Sequence, residues 1–73
     1  MRTISSGSMK SISESGIYYV TNGVSDKPES SGGFFSVVFA NSNTGAGLYV
    51  PNTAFATSYK VTIVDGSWNY YAL

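Results

Sequence analysis

The dipeptide Asp65-Gly66 is the feature of this sequence that most restricts its fold. Both central positions of a type I′ turn need φ > 0, and for this reason Asp-Gly is one of the dipeptides that close two-residue β-hairpins. A turn at these two residues places Val64 opposite Ser67. The sequence therefore predicts a β-hairpin whose strands cover residues 59–64 and 67–72.

The alternation of side chains along both strands agrees with this register. One face of the hairpin carries apolar and aromatic residues: Tyr59, Val61, Ile63, Trp68, Tyr70 and Ala72. The other face carries polar residues and one tyrosine: Lys60, Thr62, Asn69 and Tyr71. Because side chains alternate with a period of two, a slip of one residue would exchange the two faces, so the turn and the pattern predict the same pairing. Asp65, Gly66 and Trp68 are therefore predicted to be structural, with an exposed indole that stacks on a sugar ring as the alternative for Trp68.

Three further segments have the composition of strands. Residues 17–21 are β-branched and aromatic and follow Gly16, and the adjacent Tyr18 and Tyr19 must point to opposite faces. Gly16 and Tyr18 are assigned structural roles, although the pattern alone leaves open which of the two tyrosines lies in the core. Residues 48–50 form a short strand that ends before a proline.

The strand predicted over residues 34–40 has large apolar groups on both faces. Phe35, Val37 and Phe39 share one face, and Phe34, Ser36 and Val38 share the other. Such a strand is either central or covered by a second layer, and in so small a protein another subunit is the favoured cover. Residues 52–57 show no clean alternation, but Phe55 is expected to be buried.

No segment shows helical periodicity over ten residues, so the predicted fold is all-β. We expect a small antiparallel sheet of four or five strands with a C-terminal aromatic β-hairpin, assembled as a homotrimer. Residues 1–8 are predicted to form a flexible arm or the end of a stalk, and residues 9–73 a single knob-like β domain.

Size and composition favour self-association. The 73 residues include neither Cys nor His, so disulfides and the commonest zinc sites cannot reinforce the small core. Aromatic residues make up 15% of the chain and charged residues only 11%, against about 25% in ordinary soluble domains. The chain therefore has more aromatic surface than one small core can cover.

Several classes of function are disfavoured by charge and chemistry. The net charge is zero and the four cations are scattered, which argues against nucleic-acid binding and against binding to acidic membranes; no apolar run is long enough to span a membrane. Without histidine, and with four dispersed carboxylates, the chain lacks the usual groups for acid–base catalysis. We therefore expect no catalytic residues, no metal site and no cofactor.

The candidate ligand-binding residues are an exposed tyrosine and three asparagines: Tyr71, Asn69, Asn41 and Asn43. Tyr71 falls on the polar hairpin face, where a tyrosine among short polar residues is typical of recognition surfaces; contact with a neighbouring subunit is an equal alternative. Asn41 and Asn43 belong to a polar turn of the kind found in binding loops and in ordinary surface turns alike.

Four segments together carry a family resemblance. Residues 9–20 lead through Gly16 into a Tyr-Tyr-Val strand, and a loop with Pro28 and two glycines follows. An apolar strand at 34–40 comes next, and the chain closes with a strand, a glycine turn and a tryptophan over 59–68. In this order the sequence resembles the pyocin-knob type domain of phage tail fibres and tail-like bacteriocin fibres.

The resemblance implies a trimeric tip domain that is part of a virion and meets the host surface. It would contact glycans or another envelope component of the host cell, with no enzymatic activity. Two alternatives stay open: a structural module that trimerises or caps a fibre without touching a receptor, and a small cytosolic inhibitor or partner protein.

Overall fold

The chain forms one six-stranded sheet in which each strand pairs with its neighbour in the sequence. The computed structural model describes residues 1–73. Its strands are β1 (Arg2–Ile4), β2 (Gly16–Val20), β3 (Gly33–Asn41), β4 (Thr44–Pro51), β5 (Tyr59–Val64) and β6 (Ser67–Ala72). The only helical segment is a single 3₁₀ turn at Met9–Ser11, and no helix is long and apolar enough to cross a membrane.

The prediction of four or five antiparallel strands is wrong on two counts. The sheet has six strands, and β1 runs parallel to β2, so the sheet is mixed. The additional strand lies in the segment predicted to be a flexible arm, residues 1–8. Three residues, Arg-Thr-Ile, are too few to show an alternation, and only their pairing with β2 makes them a strand.

Strands β5 and β6 pair antiparallel in the register expected from the sequence. Val64 lies opposite Ser67, and at the other end of the pair Tyr59 lies opposite Ala72. The two turn residues between them have positive φ, 51° at Asp65 and 81° at Gly66. This is the backbone combination that a type I′ turn requires.

The hydrophobic core lies on one face of the sheet. Its seven sheet residues come from the four central strands: Tyr18, Val20, Phe35, Val37, Tyr49, Val61 and Ile63. Three further buried residues, Met9, Ile12 and Val24, come from the segments that precede and follow β2. The chain therefore covers this face with its own connecting segments rather than with another subunit.

Backbone hydrogen bonds hold these covering segments together. The N–H of Met9 donates to the carbonyl of Ser25 at 3.0 Å, and the N–H of Ser25 donates to the carbonyl of Gly7 at 2.8 Å. The long loop before β3 is closed where Asn22 Oδ1 accepts from the N–H of Gly32 at 2.6 Å. These bonds satisfy backbone groups that have no strand partner. The segments that cover the core are therefore held in place although they have no regular secondary structure.

Glycine at position 47 permits close packing in the middle of the sheet. Gly47 lies opposite Val37 on β3 and Val61 on β5. A Cβ atom at this position would lie 2.2 Å from the carbonyl oxygen of Ser36. Because that neighbour is backbone, any larger residue would have to displace β3.

Candidate functional site

The face of the sheet opposite the core is exposed and largely apolar. We call it the open face, and its large exposed side chains come from all five strands β2–β6: Ile17, Phe34, Val38, Leu48, Val50, Val64 and Tyr71. Val38 is 71% exposed and Ile17 is 56% exposed, so these are not partly covered core residues. An apolar surface of this extent is typical of a contact surface.

The strand registers place these side chains in rows across the sheet. Phe34 lies opposite Val50, and the ring of Tyr19 from β2 stands beside Phe34, with 5.2 Å between the ring centroids. In the next row Leu48 of β4 lies opposite Lys60 of β5. The open face is therefore continuous from β2 to β6 rather than a set of isolated residues.

The open face carries a single charged side chain, Lys60. Its ammonium Nζ lies 5.2 Å from the centroid of the Tyr71 ring, in the range of a cation–π contact. The remaining polar positions are short and uncharged: Ser36, Thr62, Ser67 and Asn69. A surface of this kind suits an apolar or weakly polar partner and offers little to a highly charged one.

Tyr71 and Asn69, two of the predicted ligand residues, lie together on the open face. Both belong to β6, where Tyr71 is opposite Lys60 and Asn69 is opposite Thr62. Tyr71 is 49% exposed. The structure thus brings this pair of candidates to the margin of the open face, on the last strand of the sheet.

Asn41 and Asn43, the other two candidates, lie at the turn between β3 and β4. The side-chain oxygen of Asn41 accepts a hydrogen bond from the N–H of Asn43 at 2.9 Å. The carbonyl of Asn43 accepts one from the N–H of Gly66 at 3.0 Å. The first bond lies within the turn and the second joins it to the neighbouring β5–β6 turn, so part of the hydrogen-bonding capacity of both asparagines is used within the chain.

The structure does not bring the four candidates into one site. Asn41 and Asn43 stand at the end of the sheet where β6 begins with Ser67. Tyr71 lies four residues further along β6, which at roughly 3.3 Å per residue is about 13 Å away. A ligand the size of one sugar ring could contact one pair of candidates but not both.

The predicted structural residues occupy positions consistent with framework roles. Gly16 is the first residue of β2, opposite Val37, and Asp65 and Gly66 form the last turn. Tyr18 is buried, and its hydroxyl donates to the carbonyl of Glu14 at 2.6 Å. Trp68 is half-buried on the core side, with its ring 5.8 Å from that of Phe35.

Tyrosine hydroxyls on the core side act as hydrogen-bond donors to the covering loop. The hydroxyl of Tyr49 donates to the carbonyl of Ser31 at 2.8 Å, and that of Tyr70 donates to the carbonyl of Asp26 at 2.5 Å. Burial is the main cause that raises the pKa of Tyr49 to about 12, and it likewise raises the pKa of Tyr70 to about 12. Both groups therefore stay protonated at neutral pH and hold the loop against the sheet.

The one cleft on the surface is small and lies beside β1. It has a volume of about 160 Å³, below the roughly 300–1,000 Å³ of typical ligand pockets. At its rim Arg2 Nη2 lies 3.6 Å from Glu14 Oε2, and both side chains are mostly exposed. Arg2 also donates to the hydroxyl of Tyr18 at 3.4 Å. These contacts join the first strand to the segment before β2.

The structure contains no group of three or more His, Cys, Asp or Glu side chains that could hold a metal ion.

Sequence reasoning placed one large apolar residue wrongly and missed several residues of the open face. Phe55, expected to be buried, is 98% exposed in the connection between β4 and β5. The sequence predicts a strand only over residues 48–50, which is too short to indicate that Leu48 and Val50 are exposed, whereas β4 covers Thr44–Pro51. Gly45 and Gly47 lie on the core side but have no side chains, so the sequence of the first half of β4 does not show which residues face inward. The full strand shows that Tyr49 alone of residues 48–50 faces inward.

Comparison of the chain with protein-family models, with curated proteins and with solved structures yields no match.

Proposed function

We propose that this domain is a non-enzymatic, receptor-binding tip domain of a phage tail fibre or a related tail-like device. It would act at the host cell surface, contact glycans there, and be assembled as a homotrimer. The observation that carries the proposal is the open face, whose large apolar side chains need a cover that one chain does not supply. The sequence resemblance described above supplies the biological setting.

Burial of the open face against other copies provides a driving force for assembly. Each Å² of apolar surface removed from water contributes about 25 cal/mol, and residues such as Ile17, Val38 and Val64 are all more than half exposed. Around a threefold axis each contact joins two different parts of the surface. Lys60 of one copy can then face the neutral residues of its neighbour rather than another lysine.

Size-exclusion chromatography with light scattering tests the assembly. At micromolar concentration we expect a single species of three chain masses, because the open face is then covered. A stable species of one chain mass over the same concentrations would contradict the proposed trimer.

Glycan contact fits the neutral character of the exposed polar residues. Tyrosine and asparagine can contact sugar ring faces and hydroxyls without any net charge on the ligand. Weak single sites are sufficient, because several copies on one particle multiply the overall affinity. In the proposed assembly the contact between copies covers the part of the open face on β2–β5, so that Tyr71 and Asn69 stay accessible at its margin on β6, and Asn41 and Asn43 stay accessible at the end of the sheet.

Glycan-array screening of the assembled protein tests this part of the proposal. We expect binding to at least one host-derived glycan, with a loss of about tenfold in the Tyr71→Ala variant or in an Asn41→Ala, Asn43→Ala double variant. The Phe55→Ala variant, altered at an exposed residue outside both candidate pairs, is the control and should bind normally. Failure to bind any host envelope preparation would count decisively against receptor binding.

The second candidate function is a structural module that trimerises or caps a fibre and touches no receptor. The observation that favours it is that the side chain of Asn41 and the backbone of Asn43 already form hydrogen bonds within the chain, the former inside its own turn and the latter to the β5–β6 turn. Host adsorption distinguishes the two functions. A cap should tolerate alanine at every exposed loop residue with unchanged adsorption, whereas a receptor-binding tip should lose adsorption at some of them.

A further inference from the structure

The two edges of the sheet differ in how they are protected from pairing with another chain. β1 has three residues and carries Arg2, and a short strand with a charge is a common form of edge protection. β6 has six residues, Ser67–Ala72, with no charged residue and no proline. Its register with β5 is also uninterrupted, so no bulge twists the edge away. The edge at β6 therefore lacks the usual devices that prevent pairing.

Hydrogen bonding to β5 fixes which backbone groups of β6 point outward. The N–H of Leu73 donates to the carbonyl of Ser58 at 3.0 Å. Because bonded residues alternate along an antiparallel pair, Asn69 and Tyr71 also direct their backbone groups toward β5. The intervening residues, Trp68, Tyr70 and Ala72, direct their N–H and carbonyl groups away from the sheet.

These outward groups have no partner within the chain. No strand lies beyond β6. None of the hydrogen bonds formed outside the sheet involves the backbone of Trp68, Tyr70 or Ala72. β6 thus offers a row of donors and acceptors at the regular spacing that an added strand requires.

We infer that β6 pairs edge to edge and antiparallel with β6 of a second copy, which joins two sheets into one. With Tyr70 opposite Tyr70 of the second copy, Trp68 lies opposite its Ala72. Every outward-facing residue then meets an outward-facing residue, and each such pair exchanges two backbone hydrogen bonds. A shift of two residues along the strand would leave outward groups at both ends unpaired.

The side chains of β6 suit pairing with an identical strand. The strand carries no charge, so two copies do not place like charges opposite each other. The largest side chain, Trp68, is matched with the smallest, Ala72, on the core side of the sheet. On the other side Asn69 meets Tyr71 of the second copy, so the two open faces become one continuous surface.

This contact is distinct from the proposed trimer and goes beyond it. Edge pairing adds strands side by side, whereas the trimer covers the open face, so one copy can make both contacts. Edge pairing would join copies of different trimers, at concentrations above the micromolar range in which the trimer alone is expected. The test of edge pairing must therefore measure the backbone amides of β6 rather than the total mass of the assembly.

Amide hydrogen exchange, measured by NMR at several protein concentrations, shows directly whether the outward amides of β6 are hydrogen-bonded. We expect the amides of Trp68 and Tyr70 to exchange at least tenfold more slowly as concentration rises. Asn69 and Tyr71 should be protected at every concentration, because their amides donate to β5. Fast exchange of Trp68 and Tyr70 at all concentrations would overturn the inference.

The Ala72→Pro variant separates edge pairing from other association. The N–H of Ala72 points outward, so proline removes no bond within the chain, and proline is tolerated at such edge positions. We expect the concentration-dependent protection of Trp68 and Tyr70 to disappear while Asn69 and Tyr71 stay protected. Should Ala72→Pro disturb the strand, Ala72→Lys places a charge at the same edge and is expected to act in the same way.

Persistence of the concentration-dependent protection in a folded Ala72→Pro or Ala72→Lys variant would refute edge pairing. A Val38→Asp variant, altered on the open face, should retain that protection even where the trimer is lost. The mass of the protein in solution therefore tests the trimer, and the exchange rates of the Trp68 and Tyr70 amides test edge pairing. The two proposals can fail independently.

Discussion

At the scale of single residues, the tyrosines of the core side show how polar groups are placed in a small core. Tyr49 is fully buried, yet its hydroxyl reaches the carbonyl of Ser31 in the covering loop. Tyr59 donates to Glu29 Oε2 at 2.8 Å, and this hydrogen bond raises the pKa of Tyr59. These aromatic residues therefore both fill the core and anchor a loop that has no regular structure.

The raised pKa of Tyr49, about 12, predicts a loss of stability at high pH. An unfolded tyrosine ionises near pH 10, whereas Tyr49 in the folded chain stays protonated until about pH 12. The stabilisation is fully present below pH 10 and falls as pH rises from 10 to 12, because only the unfolded state releases its proton there. Urea unfolding at several pH values should show this fall.

Phenylalanine at position 49 is the matched variant, because it keeps the ring and removes the ionisable group. Tyr49→Phe should unfold at lower urea concentration at pH 8, since the carbonyl of Ser31 loses its donor. Its further loss of stability between pH 10 and pH 12 should be smaller than that of the unmodified protein. Equal losses in both proteins would show that Tyr49 does not titrate as described.

At the scale of elements, the β5–β6 turn illustrates how two residues set a register. Gly66 has φ of 81°, where residues with a Cβ atom are strained by roughly 1–2 kcal/mol. We expect Gly66→Ala to lower the free energy of unfolding by about that amount, measured by urea denaturation.

Gly23→Ala is the matched control for the turn variant. Gly23 also lies in a turn, but its φ is not positive, and an added Cβ would lie 3.5 Å from the carbonyl of Ser5, an ordinary contact. This variant should change stability by less than about 0.5 kcal/mol. Equal effects at positions 23 and 66 would contradict the assignment of strain to the turn.

Elements with strong local signals could be predicted from the sequence. The turn at Asp65-Gly66 set the pairing of β5 with β6, and the alternation from 34 to 39 placed the two faces of β3 correctly. β1 could not be predicted, because three residues become a strand only through β2. Phe55 was misplaced because hydrophobicity alone does not show that its loop has no strand partner.

The candidate site could be predicted only in part, for the same reason. The exposure of Tyr71 follows from hairpin alternation, which is a local property. The bond between Asn43 and Gly66 depends on two turns that are more than twenty residues apart and meet only because β4 and β5 are neighbours. Contacts of this kind depend on the order of strands, which the pattern of one sequence does not specify.

At the scale of the whole molecule, the two faces of the sheet have different covers. The core face is closed by the chain's own loops through Met9, Ile12 and Val24. The open face has no cover, and its side chains are as large as those of the core. The central claim is therefore that other copies of the chain cover the open face.

The most direct measurement compares the mass in solution of two aspartate variants by light scattering. Val38→Asp places a charge on the open face, and Phe55→Asp places the same charge at an exposed apolar residue outside it. We expect Phe55→Asp to keep the mass of the unmodified protein, for which we propose three chains, and Val38→Asp to fall to one chain mass, because burial of an unpaired charge is costly. Identical masses for the two variants would contradict the claim that the open face joins the copies.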